Sequence, residues 1–100
     1  MLILPIKKKW YDMIRDGVKI EEYREIKPYY TKRFQNIGLL SFMEDVPNLW
    51  TKKVMFRNGY SNDSPSFVAD VRLEIKEGKK EWGAVSGTKY YSLKIEEIHL

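Results

Sequence analysis

The stretch Gly17-Val18-Lys19-Ile20-Glu21-Glu22-Tyr23-Arg24-Glu25 puts a lysine, an arginine and three carboxylates within nine residues. A lysine beside a carboxylate and partly withdrawn from water releases its proton more easily when burial outweighs the carboxylate's attraction, and it then serves as nucleophile or base. On a regular strand Glu22 and Arg24 share a face with Ile20 while Lys19 points the other way. Lys19 and Glu22 therefore meet only across a bulge or at the start of the strand, where Gly17 permits an irregular turn. Without that irregularity the same residues form a surface ladder of salt bridges, with Glu22 and Arg24 bracing neighbouring strands. Glu74, on the polar face of the most regular strand, and Glu77 or Glu81 are the remaining carboxylates that could serve as proton-transfer partners.

A second constellation is Tyr29, Tyr30, Lys32, Arg33 and Phe34, with Lys7, Lys8, Lys9 and Trp10 as neighbours. Nucleobases stack on aromatic rings and phosphates pair with Lys and Arg, so this is the composition that contacts with RNA or single-stranded DNA require; the same aromatics also serve as core. Arg57-Asn58-Gly59-Tyr60-Ser61 places an arginine fork, an amide and two hydroxyls on one loop, a set able to read a base edge or hold a phosphate, although turn chemistry alone explains Asn-Gly.

Composition removes other chemistries. The chain has no cysteine and a single histidine, His99, which excludes disulfides, thiolate zinc sites, cysteine nucleophiles and multi-histidine metal centres. A metal would need carboxylates, and none is expected. A phosphate loop, a dinucleotide fingerprint and a calcium loop are all missing from the sequence, so no cofactor is expected either. Eighteen basic residues face 14 acidic ones, a net charge of +4, and the excess lies in residues 7–33, where nine bases face five acids. This balance favours an anionic partner, RNA or a nucleotide, and equally makes an ordinary soluble surface. No apolar run approaches the roughly 20 residues needed to span a bilayer, so a cytoplasmic protein with no membrane partner is expected.

The elements that must position these groups follow from periodicity. With 100 residues, 43% hydrophobic, residues 1–100 are expected to form one domain around one core. Residues 2–6 form a short apolar run that Pro5 confines to a strand end or sheet edge. Ile6, Trp10, Met13 and Ile14 mark one stripe of a helix, which Gly17 ends. Residues 18–26 read as a strand stopped by Pro28, which can also start the next element, and residues 29–34 read as a short helix or turn. Residues 39–43 and 53–57 read as strands, and 58–65 as a loop dense in turn formers. In residues 67–76, Phe67, Ala69, Val71, Leu73 and Ile75 alternate with polar positions, predicting one core face and one wet face. Residues 77–89, with three glycines, read as a long loop able to fold over a site; residues 90–98 close the chain as a strand with Tyr91, Leu93 and Ile95 on one face. The fold class is therefore α+β, a small mixed β-barrel of about five or six strands with one or two short helices.

The spacing Gly17-x-Lys19-x-x-Glu22-x-Arg24 matches the Gly-x-Lys-x-x-Glu-x-Arg signature of the ASCH (activating signal cointegrator homology) domain, within the PUA-like superfamily. The likeness extends over Leu4-Pro5-Ile6-Lys7-Lys8-Lys9-Trp10, Glu21 to Tyr30, Phe56 to Ser61 and Glu81-Trp82-Gly83-Ala84, and the chain resembles the small ASCH proteins of bacterial and prophage genomes. The resemblance implies a PUA-like barrel with a cleft beside the signature strand, binding RNA or a modified nucleoside. Some members hydrolyse the acetyl-amide on the exocyclic nitrogen of cytidine, with the signature lysine as the reactive group assisted by a threonine and a glutamate; others are ribonucleases. Lys19 fills the lysine position, and Glu22 stands where those amidohydrolases carry threonine. A carboxylate there tunes Lys19 or activates water, but it also repels phosphate and holds the lysine protonated.

Two functions of different class follow. In the first, the domain binds RNA or a nucleotide through Lys19, Glu22, Arg24 and Arg57 in a polar cleft flanked by Tyr29, Tyr30, Lys32 and Arg33. In the second, the cleft is an amidohydrolase of acylated cytidine, with Lys19 as nucleophile or base and Glu22 or Glu74 moving protons. A protein-interaction domain with an incidental basic patch is the third alternative. The first predicts an affinity that falls with salt, the second turnover without any polymer, the third neither.

Overall fold

Alternation along residues 66–77 dictates the longest strand. Phe67, Ala69, Val71 and Leu73 are buried while Val68, Asp70, Arg72 and Glu74 are partly exposed. The computed structural model describes residues 1–43 and 45–100. Its elements run β1 (Leu2–Ile6), α1 (Lys8–Arg15), β2 (Glu21–Arg24), α2 (Pro28–Asn36), β3 (Lys52–Asn58), β4 (Ser66–Glu77), a 3-10 turn (Lys80–Trp82) and β5 (Lys89–His99). The five strands form one curled sheet in the order β1-β3-β4-β5-β2, with β1 parallel to β3 and the other neighbours antiparallel. The expectation of a small α+β barrel with short helices holds.

Sheet and helices share one core. Leu4 and Ile6 of β1, Val54 and Phe56 of β3, the four apolar residues of β4, and Tyr91 and Leu93 of β5 meet Tyr11 and Ile14 of α1 and Phe34 of α2. Each of the larger aliphatic and phenylalanine side chains contributes roughly 1.5–3 kcal/mol by leaving water. Residues directly opposite in an antiparallel pair share a face. Glu22 opposite Leu93 and Arg24 opposite Tyr91 therefore place two charged side chains on the core side of β2, where the other strands carry mainly apolar residues.

Several local expectations are corrected. Ile6 belongs to β1 rather than to the first helix, and the buried residues of α1 are Tyr11 and Ile14, with Trp10 packed only partly against the core. Residues 39–43 form no strand. Leu39 and Leu40 are buried, yet their N–H groups fold back onto the Phe34 carbonyl as the end of α2, leaving one isolated bridge from Leu40 to Pro47. The strand expected over 18–26 is only the four residues of β2, because its first part is used to cap α1. On β4, Ile75 lies beyond the core and stays 39% exposed. The register between β4 and β5 slips after Val71, skipping Glu96, so that Ile98 as well as Ile95 packs against the core.

Candidate functional site

Gly17 decides where Lys19 goes. Its φ of +76° is a conformation that a Cβ disfavours, and it closes α1 in a double cap: the Gly17 N–H donates to the Ile14 carbonyl at 3.1 Å and the Val18 N–H to that of Met13 at 2.9 Å. The Lys19 N–H shares the Met13 carbonyl at 3.0 Å, so Lys19 precedes the strand instead of lying in it. This is the irregular strand start that a Lys19–Glu22 contact requires. Lys19 is 1% exposed, its Nζ donates to Glu22 Oε1 at 2.7 Å, and the Trp10 ring centroid lies 4.2 Å from it.

Glu22 is held from both sides. Its second oxygen accepts from Arg24 Nη2 at 3.0 Å, and the same nitrogen donates to the Pro5 carbonyl on β1, also at 3.0 Å. Arg24 Nη1 reaches the Tyr30 hydroxyl on α2 at 3.3 Å, while its Nε is buried without a partner. One guanidinium thus ties together the two edge strands that share no backbone ladder and the helix beside them. Burial pushes the Lys19 ammonium below the ordinary 10.5 of a lysine, against the pull of Glu22, because a cation withdrawn from water is disfavoured.

The opposite face of β2 carries its own cluster. Lys76 and the Tyr23 hydroxyl both donate to Glu21, and the Lys79 N–H donates to Tyr23. Burial alone would raise the Glu21 carboxyl, but those two donors outweigh it and hold it below its usual range. Burial first, and the Glu21 carboxylate second, raise the Tyr23 phenol. The segment after β4 folds over this flank: Gly83, at φ +98°, lies so close to Trp10 that a Cβ there would come within 3.1 Å of the indole. Trp10, in turn, covers Lys19.

A groove follows the seam where the sheet fails to close. It has a volume of about 430 Å³ and is lined by Pro5, Lys7, Lys8, Trp10, Glu22, Arg24 and Tyr60, among others. A second compartment of about 480 Å³ opens between β1 and the first turn of α2, and a third of about 570 Å³ lies between Arg24 and Tyr90. Arg24 lines all three, and Lys19 lines none of them.

The structure brings some of the sequence-predicted residues together and separates others. Lys19, Glu22, Arg24 and Tyr30 form one connected cluster, and Tyr29 and Arg33 line the second compartment. Lys32 is exposed and lines none of the three cavities. Arg57 turns to Asn62 at 3.3 Å and lines none of them either, although its neighbours Asn58, Gly59 and Tyr60 do. Glu74 shares the sheet face of Tyr23 through its pairing with Ser92, opposite to Glu22, so Lys19 finds its carboxylate in Glu22 and not in Glu74. Strand parity explains the displacement of Glu74, and the contact with Asn62 that of Arg57.

One cationic lining residue, Lys27, is absent from the sequence-based candidates, and Tyr60 enters them only as a hydroxyl of the 57–61 loop. Tyr60, 87% exposed, stands at the border of the first two compartments, and Lys27 lines the second and third. The signal for Tyr60 is an aromatic inside a run of turn formers, where no core is within reach.

Among the described residues, Asp70, Glu97 and His99 bring one ligand atom each within 4.8 Å of one another. Asp70 already accepts from Lys53 at 2.7 Å and contacts His99 Nε2 at 3.0 Å, so a cation would have to displace a salt bridge. Among the described residues no helix is long and apolar enough to cross a membrane. Compared with family models, curated proteins and solved structures, the chain matches none.

Proposed function

We propose that the chain is an ASCH-type, PUA-like domain whose seam groove binds a nucleobase-bearing ligand, single-stranded RNA or a nucleotide. The observation that carries this reading is Arg24: it bridges the two unpaired strand edges and lines every compartment around the seam. Around it the groove offers donors (Lys7, Lys8, Arg24), an acceptor (Glu22) and aromatic faces (Trp10, Tyr60), the set that reads a base edge and stacks on the ring. Volumes of 430 and 480 Å³ are those of small-ligand sites. A fluorescence-anisotropy titration with a random-sequence RNA octamer tests the proposal. Binding that weakens with salt is expected, and the absence at low salt of binding to both the octamer and nucleotides used as competitors overturns the reading.

A second reading has one observation in its favour. Burial lowers the Lys19 ammonium toward the neutral, nucleophilic form, as deacylation of an N4-acylcytidine requires. Against it, the Trp10 ring covers the amine and the groove does not reach it. Turnover of N4-acetylcytidine by wild type that Lys19→Ala abolishes would establish the reading; no turnover would dismiss it.

A further inference from the structure

The first two of the compartments that Arg24 lines differ in charge. The seam contains Glu22, whose carboxylate repels a phosphate. The compartment between β1 and α2 is lined by Arg24, Lys27, Arg33, Tyr29, Tyr30 and Tyr60 together with apolar residues of β1, and by no carboxylate. Arg33 has no acidic partner among the described residues; its guanidinium stacks 3.5 Å from the Tyr29 ring centroid and donates only to the Tyr29 carbonyl. Lys27 has only the exposed Glu25, at 3.9 Å. Arg24 shares Glu22 with Lys19 on the seam side. Tyr29 is itself 53% exposed. Three cations thus gather beside aromatic faces where no carboxylate lines the space, an arrangement suited to an anion that carries or adjoins a ring.

We propose that this second compartment holds the phosphate attached to the nucleobase in the seam, so that the ligand is a phosphorylated nucleotide unit and not a free nucleoside. The inference rests on the nucleobase-binding reading of the seam and deepens it. Arg24 is shared by both compartments, as are Pro5 and Tyr60, so a base and its own phosphate occupy adjoining spaces without crossing the protein. The chemistry is the same for a free nucleotide and for one residue of a single strand. Charge divides the work: cations and a carboxylate face the base, and cations without a carboxylate face the phosphate.

Calorimetric titration of the whole chain with the four nucleosides, their 5′- and 3′-monophosphates, inorganic phosphate and a random RNA octamer tests it. A monophosphate or the octamer is expected to bind at least about tenfold tighter than the nucleoside, as charge-assisted hydrogen bonds to one phosphate supply. Arg33→Ala is expected to remove that advantage and Lys32→Ala, outside the compartment, to keep it. Lys27→Ala, at an exposed position, carries the same test if Arg33→Ala fails to fold. An advantage seen with monophosphates identifies free nucleotides as sufficient, and one confined to the octamer identifies the polymer; both support the proposal. Nucleosides binding as tightly as every phosphorylated form, or an advantage that survives both Arg33→Ala and Lys27→Ala, overturns it while leaving the seam reading intact. Binding of none of these ligands overturns both.

Discussion

Two carboxylates in this sheet each lie between two bases, in contrasting surroundings. Asp70, on the outer face of β4, is met by Lys53 and His99 where water reaches all three. Glu22, on the inner face of β2, is met by Lys19 and Arg24 where side-chain exposure falls to 1% for the lysine and 14% for the arginine. At the surface, solvent and salt screen each pair, and any member is dispensable. In the seam each charge has given up its hydration and depends on its partners, so removal of one strands the others. An apolar trio of similar shape would hold the barrel at least as well, since a buried ion pair is a poor source of stability. Of the trio, Glu22 and Arg24 line the groove and Lys19 does not.

The largest effect expected from this contrast is on stability. Glu22→Ala should cost roughly 3–5 kcal/mol in guanidinium denaturation, because two buried cations lose their anion. Asp70→Asn should leave the midpoint essentially in place. Pairing Lys19→Met with Glu22→Gln should cost less than Glu22→Ala alone; a greater loss would mean that the trio is not electrically coupled. Next in size is the cover over the seam. Gly83→Ala combines a positive φ with a contact of 3.1 Å to Trp10, and is expected to destabilise by roughly 1–3 kcal/mol and to shift the indole fluorescence. An unshifted spectrum would detach the strap from Trp10.

Both networks should gain stability as pH rises, but in different intervals, the seam on the alkaline side and the surface trio on the acid side. With its pKa lowered by burial, Lys19 binds fewer protons in the folded than in the unfolded chain over the interval just below 10.5, so its contribution to stability rises with pH across that interval. The midpoint of wild type relative to Lys19→Met should therefore climb toward pH 10.5, and a fall would reverse the assignment. Hydrogen bonds from Lys53 and His99 lower the Asp70 carboxyl, so its contribution is present above the ordinary 3.8 and is lost as pH falls through the lowered value. Asp70→Asn should lack this acid-side loss. The smallest effect concerns salt. Arg33→Ala should flatten the log–log salt slope of RNA binding by about 0.7. Lys53→Ala, in the surface network, should leave the slope unchanged, and equal effects would erase the distinction between the two faces.

Much of the fold is legible because its signals are local. The alternation of β4, the glycine that ends α1 and the proline that opens α2 each act within a few residues, and the structure carries all three. Residues 39–43 mislead because their leucines are buried as the cap of a helix, which burial pattern alone does not distinguish from a strand. In the site, Lys19, Glu22, Arg24, Tyr29, Tyr30 and Arg33 are legible from residue type, and Lys32, Arg57 and Glu74 are equally plausible by that criterion. What separates the two sets is the face on which each side chain stands.

Sequence by itself determined the ingredients: a short α+β chain without thiols, a basic first third, and a glycine two residues ahead of the lysine that must leave the strand register. Tertiary structure alone decided that Glu22 and not Glu74 partners Lys19, that Trp10 covers the amine, and that Arg24 spans the seam to Pro5. Local rules fix the conformation of a few successive residues, whereas β1 and β2 meet only because the sheet curls through three intervening strands. The position of Arg24 against Pro5 therefore depends on the register of the whole sheet, which no segment of the sequence contains.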